Sequence, residues 1–168
     1  KSVYFSLYCK KKFNEIFNIH IQNPRVSSKY FNYVVSPNHD NFYGNNVLNS
    51  IGALHHFNKI NKTINPQLLS CIVGGNNQHY HFDLNEAKKF SNKLIEIKEN
   101  NPNIKLNVIT SRRTSDFIKQ VLIDKLHRIA SVWTGTGVNP YEKAIYSSSF
   151  FIVTSDSTSM ISEASISG

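Results

Sequence analysis

A parallel α/β fold is what this sequence predicts, and three observations predict it. From about residue 66 onward, short β-rich runs alternate with amphipathic helical stretches, the pattern of βαβ units. Each run closes in a polar or glycine-containing turn, as strands of such a sheet do before the next helix. The chain has 168 residues, 40% hydrophobic and 18% charged, which is enough to bury a core.

The first 65 residues are less regular. Segments 18–22 (NIHIQ) and 31–35 (FNYVV) read as strands, each followed by a proline-containing turn, and 47–57 reads as helical. The polar stretch 58–67 (NKINKTINPQ) reads as a linker, so 1–62 and 63–168 are the expected domains: the end of one α/β unit and most of a second. Segment 68–73 (LLSCIV) is the next strand, ending in Gly74 and Gly75. Asp83, with Glu86 three residues on, forms an Asp version of a capping box. The helix behind it sets Leu84, Ala87, Phe90, Leu94 and Ile97 on one stripe, and Asn100, Asn101 and Pro102 end it.

Segment 104–109 is a strand closing in Ser111-Arg112-Arg113-Thr114. Thr114 or Ser115 is the expected cap of a helix whose apolar face is Phe117, Ile118, Val121, Leu122 and Leu126. His127 and Arg128 fall where a helix dipole favours cations. Segment 129–133 is a third strand, Pro140 starts a short helix over 141–146, and 150–154 is a fourth strand. A last helix begins near Met160. Four strands with helices between them describe a parallel half-barrel or a Rossmann-like sheet.

Several function classes drop out on composition. No stretch approaches 18 uncharged apolar residues, which excludes a membrane-spanning helix. KSVYFSLYCKKKF has neither a long apolar core nor a small-residue cleavage site, so no signal peptide is expected. Cys9 and Cys71 are isolated, which excludes a disulfide framework and suits a reducing compartment. The formal charge is +8. It is uneven: 8 Lys and Arg against 2 acids through residue 65, then 11 against 9. Basic excess points to an anionic partner or to an ordinary solvated surface. The abundant Asn, Lys and Ile read as a coding bias. The chain starts at Lys1 rather than Met and stops at Gly168 directly after a helix, so a window onto a longer protein is expected.

Candidate chemistry gathers at the carboxyl ends of the strands, where parallel α/β sheets bind ligands. Gly74 and Gly75 let a backbone approach closely. Ser111, Arg112, Arg113 and Thr114 offer paired guanidinium groups and hydroxyls suited to phosphate oxygens. Two glycines and Asn139 follow the third strand. Asp156, Ser157 and Ser159 form a hydroxyl-rich helix entrance, with Asp156 and Ser157 equally readable as caps. Glu163 shares the face of Ser159; a carboxylate one turn inside the helix suits a pair of ribose hydroxyls, or is simply solvated. His39-Asp40 resembles an acid/base pair on a loop, or a turn histidine beside a capping Asp. His79 and His81 have same-face strand spacing, but no third metal ligand is evident and no metal is expected. Trp133 at a strand end reads as core before base-stacking platform. Lys10-Lys11-Lys12 among aromatics reads as a solvated face before a membrane contact.

In order along the chain, IQNPRV, VVSPNHD, NVLNSIGALH, IVGG, TSRRT, WTGTGVNPY and VTSDSTSMISEASISG resemble the family of the plant mitochondrial-fission protein Elongated Mitochondria and its bacterial homologues. The resemblance covers about residues 20–168. It implies a glycosyltransferase-like protein of the GT-B type, with two Rossmann-like domains, the N-terminal one incomplete here and the C-terminal one truncated. It implies that Gly74, Gly75, Arg112 and Arg113 lie near the diphosphate of a nucleotide-sugar donor. Ser157, Ser159 and Met160 would hold phosphate, Glu163 the ribose, and His39 and Asp40 would supply a general base. No cofactor is implied beyond that donor. The alternatives are a non-enzymatic module that recruits or remodels at an anionic membrane surface, and an inactive gene remnant. A cytoplasmic protein, peripheral to the inner membrane, follows from either active reading. No specific nucleic-acid partner is expected, since no recognisable binding module is present.

Overall fold

The structure, a computed structural model, describes residues 2–58, 63–78 and 80–167. The chain divides into two compact units, Lys1–His56 and Phe57–Gly168. Phe57 belongs to the second because its ring packs against Tyr141 and Tyr146.

The first unit holds helix α1 (Ser2–Lys12) and strands β1 (Ile19–Ile21), β2 (Tyr33–Pro37) and β3 (Val47–Ser50). All pairs are parallel, in the order β1-β2-β3. Segment 47–57 is therefore not helical. Its backbone finds partners along β2, with Val47 opposite Val34 and Ser50 opposite Pro37. Gly52, a poor helix residue, follows two positions after β3. Helix α1 is not expected from the sequence because Val3, Tyr4, Phe5, Leu7, Tyr8 and Cys9 spread apolar side chains around most of its circumference, and none of its residues is buried.

The second unit is a Rossmann-like α/β unit. Strands β4 (Asn65–Val73), β5 (Lys105–Thr110), β6 (Ala130–Trp133) and β7 (Ser148–Val153) are all parallel, in the order β6-β5-β4-β7. Strand β4 starts earlier than expected and absorbs Pro66; its pairing to β7 shifts register between Asn65 and Leu69, the kind of irregularity that tolerates a residue without an N–H. Residues of β4 alternate between two cores. Leu69, Cys71 and Val73 face α2 (Leu84–Asn100) and α3 (Asp116–Leu126), burying Ala87, Leu94, Ile118, Leu122 and Leu126. Ile72 faces the other way, with Ile145 of α4 (Tyr141–Ser147) and Ala164 of α5 (Thr158–Ala164). Burial pushes the Cys71 thiol up to about 12. Ser70 and Ser148 share a buried hydroxyl–hydroxyl bond of 2.7 Å, which satisfies both across β4 and β7.

Local expectations meet the fold unevenly. Asp83 accepts from the Glu86 N–H at 2.9 Å, as its cap position predicts. Leu84 and Phe117 do not join the cores; both are exposed at the first turns of their helices. Ser115 stands at the cap position of α3 without a side-chain cap bond. Thr114 does not cap either, because its hydroxyl is turned inward to donate to the carbonyl of Gly74.

Candidate functional site

Three strand ends of the second unit meet around one buried carboxylate. The Asp156 side chain is wholly buried, and Arg113 Nη2 lies 2.6 Å from its Oδ2. The Gly75 N–H donates to the same oxygen at 3.2 Å, and the Thr154 hydroxyl donates to Oδ1. Gly74 N–H donates to Thr154 Oγ1 at 2.8 Å, and Asn77 Nδ2 to the Asp156 carbonyl at 2.8 Å. A Cβ on Gly74 would collide with the Asp156 carboxylate, and one on Gly75 with the carbonyl of Arg113. The close approach that the glycine pair permits is thus made here by the chain itself. Tyr80 feels the same carboxylate: burial first, then the charge of Asp156, raises its pKa.

Beyond this knot, the ends of β5 and β6 border an open cleft of about 780 Å³. Ser111, Arg112, Trp133, Thr134, Asn139 and Tyr141 are among its walls. Arg112 also lines a second depression of about 430 Å³ with Ser111, Arg113 and Met160. Arg112 is exposed, and among the described residues it forms no ion pair. Ser111 Oγ accepts from the Arg113 N–H at 3.1 Å, and Thr114 Oγ1 accepts from the Ser111 N–H at 3.0 Å, so the turn carrying both arginines is internally braced. Trp133 lines the cleft rather than the core, and its buried indole Nε1 has no hydrogen-bond partner among the described residues. Asn139 Oδ1 accepts from the Tyr141 N–H at 3.0 Å and so starts α4.

Tyr141, which sequence reasoning missed, joins the cleft to Glu163. Its hydroxyl donates to Glu163 Oε2 while its ring packs on Phe57. Burial first, then the Glu163 carboxylate, raises the Tyr141 pKa well above its ordinary value, so the phenol stays protonated and remains a donor. The WTGTGVNPY motif contains Tyr141, but nothing in its spacing to Glu163 announces the contact. Ser157 caps α5, accepting from Met160 N–H at 3.5 Å, while its neighbour Asp156 is the ion-paired carboxylate. Ser159 and Met160 lie half-buried in the first turn of α5.

In the first unit, His39 and Asp40 share the 3-10 turn Asn38–Asp40 after β2, with His39 Nε2 3.9 Å from Asp40 Oδ1. Asp40 also accepts from the Asn23 N–H at 3.4 Å and Ser36 Oγ at 3.5 Å, which ties the turns after β1 and β2 together. Among the described residues no cluster of three His, Cys, Asp or Glu could hold a metal, and His79 lies outside them. No helix among the described residues is long and apolar enough to cross a membrane.

Comparison with known proteins adds the family. The profile of the family described as Mitochondrial fission ELM1 matches residues 1–168. An uncharacterized protein of Rickettsia prowazekii (strain Madrid E) is 26% identical over an alignment that covers 100% of this chain and 60% of that protein. The chain thus spans about three-fifths of that relative's length. No solved structure matches.

Proposed function

The chain belongs to the mitochondrial fission ELM1 family, and from that premise we propose that its second unit binds a nucleoside-diphosphate sugar and serves a glycosyltransferase-like reaction. The observation that carries this reading is the Tyr141–Glu163 bond at the cleft that Arg112 borders. A neutral phenol that orients one carboxylate oxygen leaves the other as an acceptor for sugar hydroxyls. The Arg112 guanidinium, which forms no ion pair among the described residues and lines the same cleft as Tyr141, suits phosphate oxygens.

In such a transfer the acceptor oxygen bonds to the anomeric carbon as that carbon's bond to the diphosphate oxygen breaks. The diphosphate leaves with the electron pair, and Arg112 offsets its charge. The acceptor proton passes to a base. Calorimetric titration of the full chain with uridine, guanosine and cytidine diphosphate sugars tests the reading. Binding of one of them, weakened at least tenfold in Glu163→Gln, is expected; heat from none of the three would sink it.

A second reading, recruitment at a membrane surface, is favoured by α1. It exposes Tyr4, Phe5 and Tyr8 beside Lys11 and Lys12, which combines aromatic and basic groups as interfacial segments do. Co-sedimentation with phosphatidylserine vesicles but not with phosphatidylcholine vesicles is its expected mark, and absence from both removes it.

A further inference from the structure

In a doubly wound sheet the ligand crevice opens where the strand order reverses. Here β4 is followed by β5 and β6 on one side, and β7 returns on the other. Helices α2 and α3 cover one face, α4 and α5 the opposite one. The reversal therefore lies between the ends of β4 and β7, and that place is filled. The Asp156 carboxylate sits in it, and the two donors that a phosphate would use there, the Gly75 N–H and the Arg113 guanidinium, both serve Asp156. A carboxylate already holding those donors repels a second anion and leaves it no room, since even a Cβ at Gly74 or Gly75 would collide.

The open space is on the other side of β5. There Arg112, Ser111, Thr134 and Thr136 border the cleft, with Tyr141 leading to Glu163. Gly135 and Gly137 take φ of 110° and 75°, and no heavy atom lies within 4 Å of a Cβ built on either. That turn presents bare backbone to the cleft.

We infer that Asp156 is a resident anion that closes the usual crevice, so that the phosphate groups of the ligand bind on the β5–β6 side against Arg112, while Arg113 is a positioning residue. This rests on the nucleotide reading given above but assigns unequal work to two adjacent arginines. Arg113 neutralises Asp156 and so holds the turn from which Arg112 projects.

Trp133 is the protein's single tryptophan and lines the cleft, so its fluorescence reports binding directly. The full chain is titrated with inorganic pyrophosphate and with uridine, guanosine and cytidine diphosphates. Quenching is expected, and Arg112→Gln should weaken it at least tenfold without a change in Tm. Arg113→Gln alone should lower Tm by about 5 °C, because it leaves a buried carboxylate uncompensated. It should also weaken binding a few-fold well below the melt. Adding Asp156→Asn to it removes the orphaned charge, and should restore both Tm and affinity. A double variant that regains Tm yet binds as poorly as Arg112→Gln would show that Arg113 itself holds the ligand, and would overturn the inference. Pyrophosphate binding without any nucleotide binding would leave this inference standing and remove the nucleotide reading. Quenching by none of the four removes both.

Discussion

In the second unit the sheet is covered on both faces by apolar helices, and among the described residues eleven buried side chains form the larger of its two cores. In the first unit, Phe31 and Val34 are the buried apolar side chains beside two prolines, and asparagines do the bracing. Asn18 and Asn32 exchange bonds: the Asn18 N–H donates to Asn32 Oδ1 at 2.9 Å and the Asn32 N–H to Asn18 Oδ1 at 3.0 Å, while Lys10 Nζ reaches both. Asn46 Nδ2 donates to the carbonyls of Ser28 and Phe31, each at 2.9 Å. Side-chain amides thus replace apolar layers where three short strands have too little covered surface. The same lack of cover leaves Phe5, Phe17, Ile19, Ile21 and Leu48 exposed.

If that contrast holds, the largest loss comes from opening the core of the second unit. Leu122→Ala should cost about 3 kcal/mol, read by chemical denaturation, since a fully buried Leu leaves a cavity that its neighbours fill only partly. A cost below about 1 kcal/mol would mean that this core is loosely packed. Gly74→Ala should follow at about 2 kcal/mol, because the locked Asp156 carboxylate cannot move aside for the methyl group. Asn46→Ala should cost about 1 kcal/mol and act on the first unit, leaving two carbonyls without their amide donor. Equal losses from Asn46→Ala and Leu122→Ala would erase the distinction between the units.

The smallest effect is one of pH. Burial lowers the pKa of His20, which packs on Phe31, below its ordinary 6.5. The unfolded chain then binds the proton more readily than the folded one. Stability from this group is full above pH 6.5 and declines as pH falls through it toward the lowered folded value. A thermal melt series from pH 7.5 to 5 should show a slight decline that His20→Gln abolishes.

Legibility followed the same divide. In the second unit the periodicity of Ala87, Leu94, Leu122 and Leu126 declared helices with a buried face, and the β-rich runs between them declared strands. In the first unit pattern gave less, because β3 is held by its ladder to β2 and by Asn46 rather than by an apolar stripe of its own. The asparagines there read as compositional bias, although Asn18 is buried and bonded. At the candidate site, Arg112, Asn139 and Glu163 were visible as polar residues at strand and helix ends. Tyr141 was not, since its partner lies 22 residues away.

Sequence alone determined the alternation of strands and helices in the second unit, the polar character of every strand end, and the basic excess. All three are local or compositional, so a single chain segment carries them. Only the tertiary structure decided what the polar ends do. The Asp156 carboxylate is buried by groups 43 and 81 residues distant, from Arg113 and Gly75. Burial removes the solvent screening that would otherwise make adjacent Arg112 and Arg113 equivalent, so one arginine is tied to Asp156 and the other is left facing the cleft.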